Sequence, residues 1–261
     1  EKINFSSKKI EIKNKRKFLK VKGQLNNNEV SLQEEVLKDF LTSFSKINLI
    51  NLKFSSRNEF SFKIDNRFKV SDFEIKSILN INELSFKNDI DLKNVFPNIQ
   101  SEIKLSNHQA EIIYNNDNLL INGKGSFLIQ KNNDQVKYKI KKNKDSYLFD
   151  IDFNIINNPI ILDYLNYKTD SKSKFNLKLD GEFIKDKYIN FKKIKFKNDN
   201  DIITVNDLKL TNDFKIFNMK FAKFYFSDVH KKTNNFQIKN DNNRYFISGK
   251  IFNASKLIEN L

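Results

Sequence analysis

The chain has 261 residues, a formal net charge of +15 and 39% hydrophobic residues, and it carries 26 phenylalanines. That length holds one large all-β unit or two small domains, with enough apolar side chain for a sizeable core. Without cysteine there are no disulfides or thiolate metal sites, and no apolar run reaches the roughly 18 residues of a membrane-spanning helix.

Ile3 to Gly23 reads as one or two strands. Over Asn26–Ser45, Val30, Val36, Leu37, Phe40, Leu41 and Phe44 recur at helical spacing, and Ser31 with Glu34 fits a capping box. A helix is therefore expected near 31–45. Strand signals follow at Ile50/Leu52/Phe54, at Phe60/Phe62/Ile64 and at Phe68/Val70. Phe73 and Ile75 continue in the opposite parity. A slip of one residue flips every side chain, so a bulge or turn is expected at Ser71–Asp72. Leu79/Ile81, Leu84/Phe86, Ile90/Leu92 and Ile103/Leu105 extend the series.

Leu119–Ile129 is the longest run in phase, with Phe127 and Ile129 at its end and Gly123 and Gly125 on its apolar face. Glycine there removes bulk and permits a bend, which suits a curved sheet. Phe149–Ile155 alternates strictly. Phe149, Ile151, Phe153 and Ile155 project from one face, and Asp150, Asp152 and Asn154 from the other. Asn158 can cap a helix and Pro159 suits its first position, so one or two helical turns are expected over 159–165.

From there the apolar faces are Phe175/Leu177/Leu179, Ile189/Phe191, Ile194/Phe196, Ile203/Val205, Leu208/Leu210, Phe217/Met219/Phe221, Phe224/Phe226, Phe236/Ile238 and Ile247/Ile251. A short helix over 254–261 closes the chain. With Gly 5 and Pro 2, turns fall to Asn and Asp, as at Asn115–Asn118 and Lys142–Asp145. The series amounts to roughly sixteen short strands at the spacing of an all-β fold. The best internal joint is 156–170. It separates an N-terminal region with one helix, residues 1–157, from a C-terminal region, residues 158–261, within one continuous unit.

No catalytic constellation is visible, and no enzyme activity, metal or cofactor is expected. His108 and His230 read as solvated turn residues. Asp150 and Asp152 lie close enough for acid–base work but fit a solvated strand face flanked by lysine. Aromatic residues and lysines alternate along strands and so fall on opposite faces, which argues against a nucleic-acid partner. The basic balance itself fits either a polyanionic partner or AT-rich coding. Two arrangements suit so many one-sided strands: two sheets sealed face to face, or one curved sheet with an open apolar trough.

Leu162–Tyr167, the strand Phe175–Gly181 and the closing run Tyr245–Ile258, with Ser248-Gly249 and Ala254, resemble the AsmA-like bacterial envelope proteins, particularly the large YhdP-type members. Asn253 stands where that family usually has Asp, and Asn caps a helix about as well. The resemblance covers roughly Phe60 to Leu261 and is most specific from Leu162 onward. It implies a mainly β fold, a long curved antiparallel sheet forming an open apolar groove. It implies a periplasmic segment that carries phospholipid between inner and outer membrane, held to the inner membrane by an anchor upstream of Glu1, with other envelope proteins as partners. Phospholipid acyl chains would then lie on Phe127, Ile129, Phe149, Ile151, Phe153, Ile155, Phe175, Leu177, Phe217, Met219 and Phe221. The alternative is a structural or adhesive β-sandwich of the cell envelope, in which the same residues form a closed core.

Overall fold

A computed structural model describes residues 4–33, 49–88, 92–116, 118–143, 145–156, 158–170, 172–185, 187–211, 214–253 and 255. The strands are β1 (Phe5–Lys15), β2 (Phe18–Gln33), β3 (Leu49–Asp65), β4 (Val70–Lys87), β5 (Glu102–Asn115), β6 (Asn118–Leu128), β7 (Asn133–Asn143) and β8 (Ser146–Ile156). They continue with β9 (Ile161–Leu162), β10 (Tyr167–Lys168), β11 (Lys174–Ile184), β12 (Tyr188–Asn198), β13 (Asp201–Thr211), β14 (Ile216–Ser227), β15 (Thr233–Asp241) and β16 (Arg244–Ile251). Hydrogen bonding joins β1–β8 and β11–β16 in chain order into one large, mainly antiparallel sheet with an exposed hydrophobic face, while β9 and β10 form a separate ribbon.

The chain divides into two compact units. The first comprises Glu1–Asn88, Ser101–Phe127 and Lys137–Lys144, and the second Asp89–Gln100, Leu128–Val136 and Asp145–Leu261. The segment 156–170 lies wholly within the second.

Several strands are about twice as long as the alternation suggested, because changes of parity mark bulges rather than strand ends. On β4 and β5 the register runs from Ile81↔His108 to Glu83↔Ser106, and Asn107 takes a φ of 52°. The apolar series Leu79/Ile81 and Leu84/Phe86 thus belong to one strand, whose side chains return to the same face beyond Asn82. The irregularity expected at Ser71–Asp72 is present. Lys63 pairs with Ser71 and Ser61 with Glu74, and Asp72 has a φ of 50°. Left-handed backbone falls mostly to Asn and Asp. Among the described residues, eight of the eleven non-glycine positions with positive φ are of those types, and no glycine has positive φ.

The expected helices fare differently. Residues 26–33 belong to β2, which pairs with β3 as far as Gln33↔Asn51, so Val30 and Leu32 are strand residues. Once a partner strand is available, ladder hydrogen bonds and cross-strand packing outweigh a marginal helical spacing. The rest of the helix expected near 31–45 lies outside the described residues. Over 159–165 the chain forms β9 and a single 3-10 turn, Asp163–Leu165, ended by Asn166 in the left-handed region. The Asn158 side chain is drawn into a buried network and does not cap a helix. The helix expected over 254–261 also lies outside the described residues, except that Asn253 Oδ1 accepts from the Ser255 N–H at 3.3 Å, as a cap would.

In the first unit the two glycines of β6 make room for rings. A Cβ on Gly123 would fall 2.2 Å from Tyr138 Cζ, and one on Gly125 2.2 Å from His108 Cδ2. Close ring approach, not a positive φ, is what requires glycine here. His108 is not a solvated turn residue. It is 2% exposed, its ring lies 6.0 Å from that of Tyr138, and its Nε2 donates to the Ser126 carbonyl at 2.8 Å. Its Nδ1 has no partner among the described residues. Burial lowers the His108 pKa, opposed in part by the Ser126 hydrogen bond.

The folded state therefore favours neutral imidazole. The contribution of His108 to stability is complete above the unfolded value of about 6.5 and is lost as the pH falls below it. Urea midpoints measured between neutral pH and about pH 5 should fall in the parent chain and fall less in His108→Phe. Parallel curves would contradict this role for the buried imidazole.

Candidate functional site

The second unit carries its apolar residues in rows that cross the sheet in register. One row is Phe153–Leu177–Phe196–Ile203–Phe224–Phe236. The next is Ile151–Leu179–Ile194–Val205–Ala222–Ile238. A third is Phe149–Gly181–Phe191–Leu208–Met219, and a fourth is Tyr147–Phe183–Ile189–Leu210–Ile216. Directly opposed residues share a face, so these rows form one continuous apolar surface. Phe149 and Phe191 meet edge to face at 5.6 Å over Gly181, where a Cβ would sit 2.6 Å from the Phe149 ring. The rows stay continuous because β12 and β13 change parity at the same level, between Phe191 and Ile194 and between Leu208 and Val205, where Asp207 has a φ of 51°.

Burial changes steadily along this face. At one end Ile155, Phe175, Phe196, Ile203, Phe224, Phe226 and Phe236 are buried. In the third and fourth rows the side chains are half-buried, and Ile216 at the far corner is 69% exposed.

The buried end is closed by Ile160–Thr169. Tyr167 is 2% exposed and meets Phe196 at 5.7 Å and Phe226 at 5.2 Å, both edge to face. Its hydroxyl donates to Asp201 Oδ2 at 3.0 Å and accepts from Asn198 Nδ2 at 3.4 Å. Burial is the main reason its pKa is raised. Phe252 adds a ring 4.1 Å from Phe236.

Buried polar groups hold this covering segment in place. Asn158 Nδ2 donates to the Asn132 carbonyl at 2.7 Å and to Asp134 Oδ2 at 2.5 Å, and Gln130 Nε2 donates to the Pro159 carbonyl at 2.9 Å. Asp134 Oδ1 accepts from the Ile156 N–H at 2.6 Å, and Thr169 Oγ1 accepts from the Ile160 N–H at 2.8 Å. Burial raises the pKa of Asp134, while the Ile156 and Asn158 donors oppose the shift.

Of the eleven residues singled out from sequence, Phe149, Ile151, Phe153, Leu177 and Met219 are half-buried members of the first three rows. Ile155 and Phe175 lie in the covered end. Phe217 is 73% exposed and outside the rows, because β14 slips and Ile216 takes the place opposite Leu210. Phe221 pairs with Asn206 and Lys239 and so faces the other side. Phe127 is buried in the first unit, and Ile129 follows β6 with its carbonyl accepting from the Gln100 N–H at 2.9 Å. Alternation had identified Phe196, Phe224 and Phe236 as apolar strand residues, but not their position in one row. That depends on register between strands.

The opposite face of the second unit is polar. Asp152 pairs with Lys178 at 3.0 Å, which raises the lysine pKa, and Asp150 lies across from Asp180. The carboxylates noted in the sequence thus sit in a solvated charge ladder. His230 is exposed in the turn after β14. Among the described residues no group of three or more His, Asp or Glu could hold a metal ion, and no helix is long and apolar enough to cross a membrane. Comparison with protein families, with characterised proteins and with solved structures finds no match to this chain.

Proposed function

We propose that the apolar face of β8 and β11–β14 holds phospholipid acyl chains, as one segment of a curved open groove that carries lipid between the inner and outer membranes of a bacterial envelope. The observation that carries this reading is the grading of the in-register rows from a covered end to half-buried and exposed side chains. Apolar surface left partly in water favours an apolar occupant, and each methylene removed from water gains about 0.8 kcal/mol. An acyl chain of ordinary length would gain on the order of 10 kcal/mol before ordering costs. The role is passive: tails lie on the rows, headgroups stay in water, and no bond is made or broken. The resemblance to AsmA-like proteins supports the same reading, with an anchored periplasmic setting.

The covered end favours a second reading, a structural or adhesive envelope domain whose face is only a core. Lipid extraction of the purified chain followed by mass spectrometry separates the two. Phospholipid should co-purify, and a fluorescent fatty acid should bind and be displaced by it. A chain that carries no phospholipid and binds no fatty acid would leave only the second reading.

A further inference from the structure

We propose that the lysine-bearing face of β11–β15, opposite the apolar rows, docks on an anionic bilayer surface. One polar row reads Lys178–Lys195–Thr204–Lys223–Gln237, and the next reads Asp180–Lys193–Asn206–Phe221–Lys239. A third contains Lys197–Ile202–Tyr225. Lys193, Lys195 and Lys197 follow one another on this face of β12, about 7 Å apart. All of these lysines are exposed, and Lys195, Lys197, Lys223 and Lys239 have no ion-pair partner among the described residues. The carboxylates of these rows, Asp150, Asp152 and Asp180, are confined to β8 and β11. Lys178 is paired with Asp152, but Lys195 directly across from it is not, so it is left as positive charge that an external anion can neutralise.

The apolar residues among the lysines identify the class of anion. Tyr225, Phe246 and Ile202 are exposed on this face, with Phe246 opposite Lys239. Aromatic and aliphatic side chains beside lysines suit the headgroup boundary of a membrane, where rings and stems enter and ammonium groups meet phosphate. The lysines span a face about 20 Å wide from β11 to β15, broader than the track of a single nucleic-acid strand. They bind as point charges, without the stacking that arginine offers to bases.

The inference is independent of the acyl-chain reading, because it concerns the opposite face. The full chain would be mixed with vesicles of phosphatidylcholine, alone or with phosphatidylglycerol, and binding measured by co-sedimentation at low and physiological salt. Binding is expected only with phosphatidylglycerol, and weaker at the higher salt. Each lysine near such a surface is worth about fivefold, so Lys195→Gln with Lys223→Gln should weaken binding about twenty-five-fold. Circular dichroism confirms that the variant is folded. Ile151→Asp, on the apolar face, should leave docking intact even if it abolishes fatty-acid binding. Equal binding to neutral vesicles, an unaffected double variant, or displacement from vesicles by a single-stranded RNA at lower concentration would each overturn the proposal.

Discussion

Tyr167→Ala is expected to destabilise the second unit by about 3–5 kcal/mol, the range for removing a large buried ring. The ring closes two edge-to-face contacts, with Phe196 and Phe226, and its hydroxyl joins Asp201 and Asn198. Tyr167→Phe keeps the ring and should cost less, about 1.5–3 kcal/mol, the net value of a hydrogen bond to a charged group. The pair of variants separates ring packing from polar anchoring in urea melts. Uncovering Phe196 and Phe226 should also raise binding of a fluorescent apolar dye at urea concentrations where the parent stays dark. Equal effects of the two substitutions would mean that the hydroxyl, not the ring, holds the covered end together.

A charge placed at either end of the apolar face should have opposite consequences. Phe175 is 2% exposed and its ring lies 5.2 Å from that of Phe196. Phe175→Asp puts a carboxylate where neither water nor a cation reaches it. The cost, several kcal/mol, approaches the whole stability of a domain, about 5–15 kcal/mol, and the unit should unfold. Ile151 sits two rows further on and is half-buried beside Leu179. There the new carboxylate can turn to solvent, so Ile151→Asp should stay folded by circular dichroism. Fatty-acid binding should nevertheless drop by at least an order of magnitude, because the charge must be desolvated each time an acyl chain covers it. Global unfolding of Ile151→Asp would show that the face is sealed over its whole length.

The wrong expectations have a common cause. Asn26–Ser45 offered a helical spacing, and nothing local revealed that β3 would take up residues 26–33 through pairs such as Val30↔Phe54. The same holds at Asn158, whose capping chemistry was legible but whose amide is used on Asn132 and Asp134, more than twenty residues away. His108 looked solvated because its neighbours are polar. It is buried because a glycine on β6 leaves room for its ring.

By itself, the sequence determined that the chain is mainly β, which residues alternate, that Asn and Asp would make the turns, and that Phe149, Ile151, Phe153 and Ile155 share a face. Those properties follow from the two-residue period of a strand and from backbone sterics, both local. Only the tertiary structure decided which strands are continuous through bulges, that Phe221 lies with the lysines, and that Tyr167 covers one end of the apolar face while the other end stays open. Those outcomes depend on register between strands far apart in sequence. A slip of one residue would exchange the two faces without altering any local pattern.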